Sequence, residues 1–228
     1  MKKNLLLIFL FNLNLCFSQF AIISEHDGYV NVRSSAKIGN NISDKLSNGF
    51  IVYYFEPKGN WANIDYKKNE KELNGYIYKD KIKYITDFKK IPLKSNPDGK
   101  VILENGIIKI EITETPFIKA NHKLNILKNN SNILDEIDGK QIFGKDGDIP
   151  KREYKSIEIE INKVKVEIPK SALLNLYEPT LWNTKANYDE VNDILYIQSS
   201  NSDGAGGYEI IWVIEKKKYK ARIVFNEF

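Results

Sequence analysis

The sequence predicts an all-β fold with one short helix, on three observations. Apolar side chains alternate with charged ones in run after run, Gly, Pro, Asn and Asp punctuate the runs, and helical spacing is almost absent. Ile108, Ile110 and Ile112 alternate with Lys109 and Glu111, and Ile157, Ile159 and Ile161 with Glu158 and Glu160. Successive strand residues point to opposite faces, so each run has one apolar and one charged face. That pattern suits antiparallel sheets with one face in water.

The chain opens with a segment that reads as an address. Lys2 and Lys3 precede the apolar run from Leu5 to Phe11, and small residues Cys16 and Ser18 follow. This is the pattern of a secretory signal peptide, residues 1–18, too short in its apolar part to span a bilayer. Lipidation at Cys16 is disfavoured because bulky Leu15 precedes it. Cleavage removes the only Cys and the only Met of the 228 residues, so disulfides are excluded from the exported chain. It also removes two lysines from a formal charge of +4. With apolar residues at 42% and charged at 28%, the chain is neither disordered nor a multi-span membrane protein. The near-neutral balance gives no footprint for nucleic acid.

Four landmarks follow in order: Val30-Asn31-Val32-Arg33-Ser34-Ser35, Asn48-Gly49 before Phe50-Ile51-Val52-Tyr53-Tyr54, Gly59-Asn60-Trp61-Ala62-Asn63-Ile64, and Gly75-Tyr76-Ile77-Tyr78. Glycines at 49 and 75 mark turns or close backbone approaches, and Trp61 is a core or rim anchor. Residues 19–86 thereby resemble a bacterial SH3-like (SH3b) domain. The inserted stretch 67–74 lengthens one hairpin, and Tyr76 stands where the family commonly has Trp. The resemblance implies a small SH3-like barrel that recognises cell-wall peptide or an envelope protein. Its ligand-binding candidates are Arg33, Tyr54, Trp61, Tyr76 and Tyr78.

Pro92, Pro97 and Asp98-Gly99 loosen the pattern, so residues 87–100 read as a linker and 101–228 as a second domain, an antiparallel β-sandwich or curled sheet. Val164, Val166 and Ile168 continue from Ile161 through the link Asn162-Lys163, a hairpin of open turn type. Pro169 at a first turn and Ala172-Leu173-Leu174-Asn175-Leu176 predict the short helix, ended by Pro179. A hairpin then joins residues 194–200 to 208–214 through a Gly-rich loop, placing Ile210, Trp212 and Ile214 on one face. Lys216-Lys217-Lys218 turns into a last strand, 219–225.

Two loops stand out: Asp146-Gly147-Asp148, and the loop with Asn201, Ser202, Asp203 and Gly204 before Tyr208. Neither has EF-hand spacing, and turn chemistry accounts for both, so no metal or cofactor is expected. The second loop has more glycine than a hairpin needs and is the candidate functional loop; it carries no basic residue to cradle phosphate. Trp182 caps the core or lines a rim. Catalysis finds few parts. Cysteine chemistry is absent, His26 and His122 fall in different domains and read as solvated, and no Gly-x-Ser-x-Gly elbow occurs. The sequence therefore points to an exported, non-catalytic cell-envelope binding protein, in the periplasm, at the cell surface or secreted. An inhibitor or immunity-type protein that blocks an envelope hydrolase, and a glycan hydrolase with paired carboxylates, are the alternatives.

Overall fold

The computed structural model describes residues 18–127, 133–145 and 148–226. The expected signal peptide, apart from Ser18, and Asp146-Gly147 lie outside them. The fold is all-β, and contacts divide it after Lys83 into two units.

The first unit holds β1 (Gln19–Ile23), β2 (Tyr29–Arg33), β3 (Ile42–Ser47), β4 (Ile51–Lys58), β5 (Trp61–Lys68), β6 (Lys71–Tyr78) and β7 (Ile82–Tyr84). They form one sheet in the order β3-β2-β6-β5-β4-β1-β7. It runs open from β3 to β7, so the barrel expected here is not a closed one. The register puts Val52 and Tyr54 on the face of Ile64, Ala62 and Ile77, and all five are buried. Gly75 sits on that face. A Cβ there would lie 2.5 Å from Val32 Cγ1 and 2.9 Å from the Arg33 carbonyl oxygen, so only glycine lets β2 come this close to β6.

The stretch read as a linker is structured. It carries β8 (Lys89–Ile91) and β9 (Leu93–Ser95), and the boundary falls before it. β10 (Lys100–Glu104), β11 (Ile108–Pro116), β15 (Arg152–Ile161) and β16 (Val164–Val166) join β9 in a sheet ordered β16-β15-β11-β10-β9. β17 (Lys185–Asp189), β18 (Ile194–Asn201), β19 (Tyr208–Glu215) and β20 (Lys218–Asn226) join β8 in a second, β20-β19-β18-β17-β8. β12 (Leu124–Leu127), β13 (Ile133–Ile137) and β14 (Lys140–Gln141) make a small third sheet. One core joins Ile110, Ile112, Ile157 and Ile159 from the first sheet to Leu195, Ile197, Ile210 and Trp212 from the second, which makes the unit a β-sandwich. Each fully buried aliphatic side chain contributes about 1.5–3 kcal/mol. Val164 departs from its predicted face, at 49% exposure beside the hairpin turn.

Among the described residues, four two-residue links have both residues at positive φ: Asn69 and Glu70, Asp138 and Gly139, Asn162 and Lys163, Lys216 and Lys217. This is the type I′ hairpin geometry that matches strand twist. The predicted helix over 172–176 is a correction. Only a 3₁₀ turn, Lys170–Ala172, forms. Carbonyls that a helix would have used are taken by distant side chains: Trp212 Nε1 donates to Ala172 O at 2.8 Å, and Arg222 Nη1 to Leu174 O at 2.6 Å. No helix among the described residues is long and apolar enough to cross a membrane.

Candidate functional site

In the first unit, the register of β5 and β6 sets Trp61 opposite Tyr78 and Asn63 opposite Tyr76, and Arg33 on β2 pairs with Tyr76. Trp61 and Tyr78 stack with ring centroids 4.1 Å apart and planes 22° from parallel. The Arg33 guanidinium lies 6.0 Å from the Trp61 centroid, at the reach of a cation–π contact. Its Nη1 donates to Gly39 O at 3.0 Å and to Asn41 Oδ1 at 2.8 Å. Asn41 Nδ2 in turn donates to Ser35 O and Lys37 O, so one asparagine folds the loop and aims the arginine. The structure thus gathers four of the five predicted residues, Arg33, Trp61, Tyr76 and Tyr78, on one face. Tyr54 is the exception: it points into the core and leaves the candidate set. Sequence reading missed Asn41, whose signal is only an Asx residue closing a polar loop. It also missed Asp65, opposite Asn74 on the same face. Burial first, then the nearby Glu72 charge, push the Asp65 carboxyl up to about 6.

In the second unit, the candidate loop divides. Asn201 and Tyr208 are buried. Asn201 Oδ1 accepts from Tyr154 OH at 2.8 Å, from the Thr180 amide at 2.8 Å and from Ser199 Oγ at 3.1 Å. Tyr208 OH donates to Tyr177 O at 3.0 Å. Both therefore hold the fold and leave the candidate binding set. Gly204 is exposed, while Ser202 and Asp203 line an open cleft of about 730 Å³. Trp182, 69% exposed, stands on the rim of that cleft. Of the lining carboxylates, Glu114 pairs with Arg152 and Glu178 accepts from the Lys151 amide. Burial of the loop's two ends leaves residues 203–205 as its exposed tip.

His26 is fully solvated, as expected, but His122 is not. Its Nδ1 lies 2.8 Å from Asp138 Oδ2 and its Nε2 3.5 Å from Glu153 Oε2. The ring stacks on Phe117 at 4.4 Å. Among the described residues, no group of three or more His, Cys, Asp or Glu is placed to hold a metal ion. No family model matches this chain, and neither the curated proteins nor the solved structures contain a match to it.

Proposed function

We propose that this chain is an exported, non-catalytic recognition protein of the cell envelope, and that its first unit is an SH3b-like module for wall peptide or an envelope protein. The observation that carries the reading is the surface formed by Arg33, Tyr76 and Tyr78, backed by the buried ring of Trp61, on which Tyr78 stacks. Stacked aromatic rings beside an oriented guanidinium offer apolar area and charge-assisted donors with little side-chain entropy left to lose, which is how recognition surfaces gain affinity. Residues on the interior strands β2, β5 and β6 hold such a surface better than a free loop would. In the open cleft of the second unit, two of the lining carboxylates, Glu114 and Glu178, are engaged by Arg152 and by the Lys151 amide, and Asp98, Asp148 and Asp203 complete the acidic lining.

The test is co-sedimentation of the exported chain with purified wall sacculi, beside the variants Arg33→Ala and Tyr76→Ala. Wild-type protein is expected in the pellet and both variants in the supernatant, with unchanged circular dichroism. Pelleting by the variants moves the contact elsewhere. Wild-type protein that stays in solution ends the wall-peptide reading, and capture of a partner from envelope extracts then decides for or against an envelope protein.

A further inference from the structure

A smaller pocket in the second unit, about 240 Å³, is enclosed by the β13–β14 turn, the start of β15 and the segment 170–177. Its walls are mainly apolar: Ile137 and the Tyr154 ring are buried, and Leu173 and Leu174 close the side. Two features set it apart from a packing defect. The first is Tyr177, only 3% exposed, which lines the pocket. Its phenol finds no hydrogen-bond partner among the described residues, and burial followed by the Asp138 and Glu153 charges raises its pKa. The hydroxyl is open to solvent rather than sealed in the core, since Thr184 Oγ1 is the one enclosed side-chain polar atom without a partner among the described residues. The second is the rim. Lys140, Lys155 and Lys170 are exposed, and none is in an ion pair among the described residues. The two carboxylates on the wall are turned to other work: Asp138 bonds the His122 ring and the Lys123 amide, and Glu153 faces His122 Nε2.

We propose that this pocket binds a small amphipathic anion, an alkyl carboxylate of medium chain length. The apolar walls take the chain, Tyr177 donates to a carboxylate oxygen, and the lysines neutralise the head group. A bare inorganic anion would leave the apolar walls empty, and a cation would meet three ammonium groups at the rim while the wall carboxylates, Asp138 and Glu153, face the His122 ring. The volume lies below the usual range for drug-sized ligands, about 300–1,000 Å³, which selects a short chain. The proposal does not depend on wall recognition by the first unit.

The experiment is calorimetric titration of the full exported chain with sodium octanoate, with octanol and inorganic phosphate in parallel. Saturable one-to-one binding of octanoate is expected, with no binding of phosphate and at least tenfold weaker binding of octanol. The double variant Lys155→Gln/Lys170→Gln, both on the surface, is expected to lose about tenfold in affinity, the worth of one charge-assisted contact. Tyr177→Phe is expected to bind several-fold more weakly without losing stability, because the hydroxyl has no partner within the fold. Octanol binding as tight as octanoate, unchanged affinity in the lysine variant, or no saturable binding of octanoate each overturns the proposal.

Discussion

Changing Asn201 to alanine removes the acceptor at the centre of a buried polar group. Three donors lose their partner: Tyr154 OH, the Thr180 amide and Ser199 Oγ. A buried donor left unsatisfied costs about 1–3 kcal/mol. Thr180 is half-buried, and Ser199 also hydrogen-bonds Tyr154, so the cost is shared between the two buried hydroxyls. The expected sum is about 3 kcal/mol. Tyr154→Phe removes one donor and leaves Asn201 with two, so it costs about 1 kcal/mol. The double variant is then expected to cost less than the two single changes together, because the phenyl ring that replaces Tyr154 has no hydroxyl to strand. The assay is urea unfolding by tryptophan fluorescence in a Trp61→Phe background, where Trp182 and Trp212 report the second unit alone. A cost for Asn201→Ala below about 1 kcal/mol, or strict additivity with Tyr154→Phe, refutes the assignment of Asn201 to the fold.

Other substitutions probe the units separately. Gly75→Ala drives a Cβ into Val32 and the Arg33 carbonyl, and is expected to destabilise the first unit by about 3 kcal/mol or more; hydrogen exchange should show the loss confined to that unit. Gly144→Ala does the same to the second, since φ there is +89° and the Cβ would lie 2.0 Å from Tyr177 O. Lys216 and Lys217 both have positive φ, so Lys216→Asn/Lys217→Gly should relieve about 1 kcal/mol and raise the calorimetric Tm of the second unit by roughly 2–4 °C. Asp65 has a folded-state pKa of about 6 against the usual 3.8, so its share of stability is fully present below 3.8 and lost as pH rises through 6. Asp65→Asn should therefore stabilise at pH 8 by about 1 kcal/mol, discounted for a half-exposed group, and change little at pH 4; equal effects in denaturant titrations at both pH values would contradict this.

What the sequence disclosed was whatever period 2 can encode. Ile108, Ile110 and Ile112 and their partners Ile157, Ile159 and Ile161 face one core, as the alternation required. Adjacent Tyr53 and Tyr54 show the limit of that reasoning: alternation says they diverge, so that one would face outward, yet both are buried. The helix misreading has a different cause. Leu173 and Leu174 beside Pro169 carry local helix signals, but the carbonyls that would continue the helix are claimed by Trp212 and Arg222, 40 and 48 residues away. β8 and β9 are too short for any period to register, and their pairing is set by β17 and β10. The aromatic cluster around Trp61 was legible through its landmarks. The setting of His122 was not, because Asp138 and Glu153 lie on other elements.

The three-residue strands β8 and β9 are separated by Pro92 alone, yet each belongs to a different sheet of the sandwich. This short piece of chain therefore works as a stitch through both layers. During synthesis it leaves the ribosome early and must wait for β17, nearly a hundred residues later, before its first half can pair. A chain begun at residue 101 would lack an edge strand on each sheet, exposing two rows of unpaired backbone at once. The second unit begins, in folding terms, where the spacing of its sequence still looks like a tether.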